Sequence, residues 1–315
     1  MNLYRSVRAV TGASGDGPVD WGAVTEAARA STDPGSLALS SAERDAYAAD
    51  VRDARDRIRE VAGLGFDVPE TVEIQSRHHW IDANVDTFRR VMAPLESSVG
   101  ILPVLARVAN TASLSAALSY LASNVLGQYD PLLLADGDDH ALYFVHPNVV
   151  SVAASLDVPT DRFRRWIAFH EVAHAAEFGA APWLACELEA DLRSAVDALA
   201  EGSIDREALA DLNTTMTAVE GYAELVMDRA FDGEYADLRA KLDARRRRRG
   251  PLSSLLRRLL GLGMKREQYE RGKAFFEAVA DARGVEGAGA VWERPANLPS
   301  DAELDDPARW LDRVE

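Results

Sequence analysis

The chain has 315 residues, 47% of them hydrophobic, which is enough for one large core or two small ones and excludes a disordered polymer. Acidic side chains outnumber basic ones by 51 to 35, and a formal net charge of −16 argues against general affinity for nucleic acid. Lys241, Lys265 and Lys273 are the only lysines; an acid-rich, lysine-poor surface fits a halophilic protein kept hydrated in concentrated salt, and equally a GC-rich genome.

From the N-terminus, Met1–Val10 carries two arginines without an apolar core, so no secretory signal is expected and the protein is read as cytoplasmic. Val19-Asp20-Trp21 opens a short helix. Ser40-Ser41-Ala42-Glu43 has the serine and glutamate spacing of a capping box and starts a long charged helix to about Val61. Val68–Ile74 is a strand candidate. Trp80–Leu95, WIDANVDTFRRVMAPL, forms a helix with Trp80, Ile81, Val85, Phe88 and Met92 on one side. His78 and His79 are adjacent, so they diverge and cannot share an ion as helical i,i+4 neighbours can; they are read as structural or surface residues. Val99–Leu126 is almost wholly apolar and small, but Pro103, Arg107 and Asn110 interrupt it. A buried helix or helical hairpin fits better than a membrane span, and no other stretch competes for a span. Gly127–Pro131 reads as a turn, Asp136–His140 as a loop close to the site, and Ala141–His146 as a strand stopped by Pro147-Asn148.

Chemistry concentrates in Asp161–Phe178, DRFRRWIAFHEVAHAAEF, where apolar residues recur at helical spacing. His170 and His174 lie one turn apart on one face, so both imidazoles reach a single ion. Zn2+ accepts such a pair; a catalytic site adds a third protein ligand and keeps one position for water, whose pKa falls toward neutrality. Glu171 flanks that face and is placed to take the water's proton. Two hydrogen-bonded structural histidines are the plainer alternative, but Trp166, Ile167, Phe169, Val172, Ala173 and Ala176 leave few polar partners for both rings. Gly179 and Pro182 break this helix, and Trp183 starts a second run through Leu199. That run holds Cys186, the single cysteine, which excludes disulfides and a thiolate cluster. Asp205 begins a third helix containing Thr217–Asp228. Arg245–Arg249 is followed by PLSSLLRRLLGLGMKR, a basic, leucine-rich insertion over about 245–265. Its leucines dock on the core, or the segment contacts anionic lipid, a polyanion or a partner. A helix around Gln268–Ala282 precedes a tail whose Trp292 and Trp310 pack back.

Taken in order, VDW, WIDANVDTFRR with PL, GQYDPLLL, FVHPN, RRWIAFHEVAHAAEF with PWL, AVEGYAELVMD and LPSDAELDDPARWLDRV resemble the zincin-like metallopeptidase family. Its members are largely uncharacterised hydrolases, and one branch is associated with deazaflavin-coenzyme biosynthesis. The resemblance spans nearly the whole chain. It implies zinc and an edge strand lining the cleft, for which Ala141–His146 is the candidate, with His146 facing the cleft or the local backbone; about substrate it implies little, and the peptide or small amide expected here follows from the zinc-water chemistry. Tyr222 departs from the family pattern, in which a histidine more often follows the Glu-Gly pair.

The third ligand is chosen by spacing and context. A metzincin pattern requires glycine and histidine where Glu177 and Ala180 stand, so it fails. Glu187 with Asp191, or Glu189, follows His174 closely and demands a very short return loop. Glu220 is preferred, since its Glu-Gly-aromatic-Ala-Glu context is similar to the ligand helix of glutamate-type zincins. Gly221 would let that helix approach the histidine helix, and Glu224, one turn on, would orient a histidine from behind, as Glu177 would on the histidine helix itself. Tyr222, Tyr143 and His146 are oxyanion candidates. The expected fold is one mainly α-helical domain with a small β-sheet (α+β), its zinc-site core over about 141–231. The expected activity is hydrolysis of a peptide or amide by zinc held on His170, His174 and Glu220, with Glu171 as base. The rival is an inactive, zinc-stabilised binding or scaffold protein.

Overall fold

The computed structural model describes residues 2–15, 17–69, 71–96, 103–130, 141–231, 235–248 and 266–314. Polar side chains set the first helix starts. Asp20 accepts from the Ala23 N–H at 2.9 Å and caps α2 (Trp21–Ser31), which packs beside α1 (Leu3–Thr11). Ser40 and Glu43 close the expected capping box of α3 (Ser41–Ala62), and Gly63 ends that helix at φ +64; a cap of this kind is worth about 1 kcal/mol.

α4 (Arg77–Glu96) and α5 (Pro103–Ala122) follow. The polar interruptions of the apolar run have a use. Arg107 Nε donates to the Gly17 carbonyl at 2.5 Å and Asn110 Nδ2 to the Pro18 carbonyl at 3.2 Å, so they stitch α5 to the segment ahead of α2. The helix expected here is buried along one side only, through Ala117, Leu118, Leu121 and Ala122, while Val104 is exposed. Among the described residues, no helix is long and apolar enough to cross a membrane. His78 Nε2 lies 2.9 Å from the Thr32 carbonyl, a structural contact.

Three short strands, β1 (Val72–Gln75), β2 (Gly127–Asp130) and β3 (Ala141–Val145), form one sheet in the order β1-β3-β2. β1 runs parallel to β3 and β2 antiparallel to it. Two expectations are corrected. Gly127–Asp130 is a strand and not a turn, and Ala141–Val145 is the central strand, so the cleft-side edge falls to β2. Alternation sorts the side chains. Gly127 and Tyr129, opposite Phe144 and Leu142, face the larger core, while Gln128, opposite Tyr143, faces α4.

α6 (His146–Leu156) leads to α7 (Thr160–Ala180), α8 (Leu184–Ala200), α9 (Arg206–Phe231) and α10 (Ala236–Arg248). α11 (Arg266–Ala288), interrupted at Gly284 (φ +79), precedes two short helices, α12 (Asp301–Asp305) and α13 (Pro307–Arg313). The larger core joins α3, α6, α7, α9, α11 and one sheet face; a smaller one joins Trp21, Trp80, Ile81 and Leu118 on the other side. The tail does pack back, with Trp292 and Trp310 fully buried and Trp310 Nε1 donating to the Asn297 carbonyl at 2.7 Å.

Gly221 acts differently from expectation. A Cβ there would lie 2.4 Å from the Gly272 carbonyl carbon, and one at Gly272 would lie 2.3 Å from the Thr217 carbonyl oxygen. These glycines press α9 against α11, backbone on backbone, while on its other side α9 packs directly on α7, Phe169 against Phe231. The loop Asp136–His140 and most of the basic segment, 249–265, lie outside the described residues, so the docking of its leucines does too.

Candidate metal centre

α7 runs through the larger core, and its buried face, including Phe169, Val172, Ala173 and Ala176, fixes its rotation. His170 and His174 consequently lie side by side, ring centroids 4.7 Å apart and planes at 75°. α9 brings Glu220 to them: one ligand atom from each of His170, His174 and Glu220 falls within 4.8 Å of the others, with His170 Nε2 3.9 Å from Glu220 Oε2. Among the described residues, no other three His, Cys, Asp or Glu side chains are grouped to hold an ion.

Each ring is held from behind. Trp166, one turn earlier, stacks on His170 at 5.7 Å and 6° between planes. His174 Nδ1 lies 2.9 Å from Glu177 Oε2, which directs its Nε2 to the group. Glu177 is 0% exposed. Glu171, 7% exposed, accepts from the Tyr129 N–H at 3.0 Å. Its side chain occupies the space a Cβ at Gly127 would take, 2.6 Å from Glu171 Cγ, so β2 lies directly over it.

The charge balance of this cluster is one-sided. Burial pushes Glu171 up to about 7, against the opposing charge of His174 and the Tyr129 N–H. Burial pushes Glu177 up to about 7 as well, against its hydrogen bond with His174. Burial also works against charging His174, but Glu177, Glu220 and Glu171 outweigh it and hold the imidazole up at about 10. Glu220 Oε2 is buried and accepts no hydrogen bond. Three carboxylates around two imidazoles, with Glu220 Oε2 and Glu177 Oε1 both left without a hydrogen bond, make a cluster that a divalent cation on His170, His174 and Glu220 fits.

A pH dependence follows. Glu171 and Glu177 ordinarily titrate near 4.5 and His174 near 6.5, so in the metal-free protein the folded state binds more protons than the unfolded chain from there up to about 10. Stability then falls as pH rises. Urea midpoints in EDTA should drop between about pH 5 and pH 9, and Glu177→Gln, which removes both a raised carboxyl and the main charge that raises His174, should flatten that slope. A midpoint that holds steady or climbs would refute this charge assignment.

The other expected residues lie elsewhere. On α8, Glu189 pairs with Arg193, and Asp191 has Asp211 and Glu187 as neighbours; these do not join the group. Glu224 is ion-paired with Arg239 at 2.5 Å, in a chain continuing to Asp228 and Lys273; the carboxylate behind His174 is Glu177. Tyr222 is fully buried, its ring edge-on to Phe276 and Trp292 and its hydroxyl beside Gly289, which removes it as an oxyanion donor. Tyr143 lies on the α4 face of the sheet, away from α7. His146 is the first residue of α6; its Nδ1 lies 2.9 Å from the Tyr47 hydroxyl, in a pocket with Glu43 and Arg164. Gly127 and Tyr129, which cradle Glu171, were not legible as site residues, although a glycine in an extended stretch is a signal of close approach.

A model of the zincin-like metallopeptidase family matches residues 19–204 and 198–311. A crystal structure from Chloroflexus aurantiacus, described provisionally as a hydrolase with a novel fold, is 32% identical, with a TM-score of 0.79 over 94% of this chain and 98% of that one. No protein of curated function matches the chain.

Proposed function

The chain belongs to the zincin-like metallopeptidase family, and from that membership we propose that it is a zinc-dependent hydrolase of peptide or amide bonds. The observation that carries the reading is the grouping of His170, His174 and Glu220 within 4.8 Å, with the buried carboxylate of Glu171 on the adjoining turn. Zinc on those three residues supplies a Lewis acid for the scissile carbonyl and acidifies water. Glu171, buried on the turn between the two histidines and held by the Tyr129 N–H, is placed to accept a proton from that water and to return it to the leaving nitrogen. Glu177 keeps the His174 ring oriented, and Trp166 restricts rotation of His170. A structural zinc takes four protein ligands and favours cysteine, whereas three grouped ligands suit a catalytic site.

The substrate would lie along β2. An extended peptide pairs with such a sheet edge, although the Tyr129 N–H itself is taken by Glu171. The test starts from metal analysis of the purified protein, expected to give one zinc per chain, followed by a screen against a peptide library. Hydrolysis should vanish with a chelator and return with zinc. Stoichiometric zinc retained in the His170→Ala, His174→Ala double variant would sink the reading.

A further inference from the structure

Two sequence segments, WIDAN and GQYD, supply no side chain to the metal group, yet they meet in a closed polar triangle. Trp80 Nε1 donates to Gln128 Oε1 at 2.7 Å, Gln128 Nε2 donates to Asn84 Oδ1 at 3.0 Å, and Asn84 Nδ2 donates back to the Trp80 carbonyl at 2.9 Å. Trp80 is 3% and Asn84 5% exposed. Both ends of the Gln128 amide are engaged, so it can neither flip nor slide without leaving a buried polar group unpaired. An apolar residue would fill this place without that demand.

The position of Gln128 in the strand gives the triangle a purpose. It stands between Gly127, whose missing side chain makes room for Glu171, and Tyr129, whose N–H holds the Glu171 carboxylate. β2 is a four-residue edge strand with little to fix its register. A slip by one residue would turn Gln128 into the larger core and swing the Tyr129 N–H away from Glu171, because the side-chain period of a strand is two. We propose that Trp80, Asn84 and Gln128 are positioning residues for Glu171, locking the register of β2 from the face opposite the metal group. The proposal rests on the reading of Glu171 as the base, but its first readout needs no turnover.

The test uses the full-length, zinc-loaded protein with Gln128→Met, which keeps length and loses both hydrogen bonds. Selective 15N-tyrosine labelling gives resonances for only eight tyrosines; Tyr129→Phe identifies the Tyr129 amide, and Glu171→Ala marks its position without the carboxylate. In Gln128→Met the Tyr129 amide should move toward its Glu171→Ala position, with zinc content and the buried Tyr222 resonance unchanged. Trp80→Phe, which deletes only the indole donor, should move it part of the way and serves if the methionine variant fails to fold. On a peptide found by screening, kcat should fall about tenfold. A Tyr129 amide unmoved in a folded variant overturns the proposal, and so does an unchanged kcat. If the amide moves but the parent protein cleaves no peptide, the positioning stands and the hydrolase reading fails.

Discussion

Glu220→Ala should lower zinc affinity by two to three orders of magnitude, about 3–4 kcal/mol, because it removes a buried anionic partner of the ion. Glu187→Ala and Glu189→Ala should leave affinity nearly unchanged, since neither carboxylate joins the histidines. The difference has a structural cause. α9 lies beside α7 and presents Glu220 to the pair, whereas Glu189 is occupied by Arg193 one turn along α8. Competition with a chromophoric chelator measures all three variants on one scale. Loss of zinc in Glu187→Ala with retention in Glu220→Ala would reverse the assignment of the third ligand.

Glu171→Gln should keep the zinc and lose turnover by a factor of about 10²–10⁴, the usual contribution of a general base. Glutamine has the same shape, so it fits under Gly127, and its carbonyl oxygen can still accept from the Tyr129 N–H. What it lacks is a basic oxygen. Zinc content separates this variant from a ligand mutation, and kcat on the screened peptide gives the loss. Hydrolysis undiminished in Glu171→Gln would point to a different base or to a contaminating protease.

The helix carrying the histidines was legible because its information is local: apolar period, two histidines one turn apart, a glutamate between them. The Ser40 and Glu43 cap was legible for the same reason. What the sequence did not disclose depends on neighbours from far along the chain. Gly127-Gln128-Tyr129-Asp130 has the composition of a turn, and only the Glu171 side chain overhead explains its glycine as a strand residue. β3 reads as a strand, but its central place requires knowing that β1 and β2 flank it. Glu224 and Glu177 look interchangeable as supports for a histidine until Arg239, from another helix, is found on Glu224. Tyr222 follows Glu220 by two residues and therefore points into the α11 side of the core, among Phe276 and Trp292.

The backbone contact of Gly221 with Gly272 bears on the order in which a ribosome delivers the parts. A nascent chain that has reached the end of α9 already contains both histidines and Glu220, but the surface against which α9 leans arrives only with α11, some fifty residues of loop closure later. Until then nothing behind Gly221 steadies the third carboxylate. Complete chemistry and complete packing are thus separated in time during synthesis, and a fragment ending ahead of Arg266 would own every group of the metal centre but lack the surface that backs α9 at Gly221.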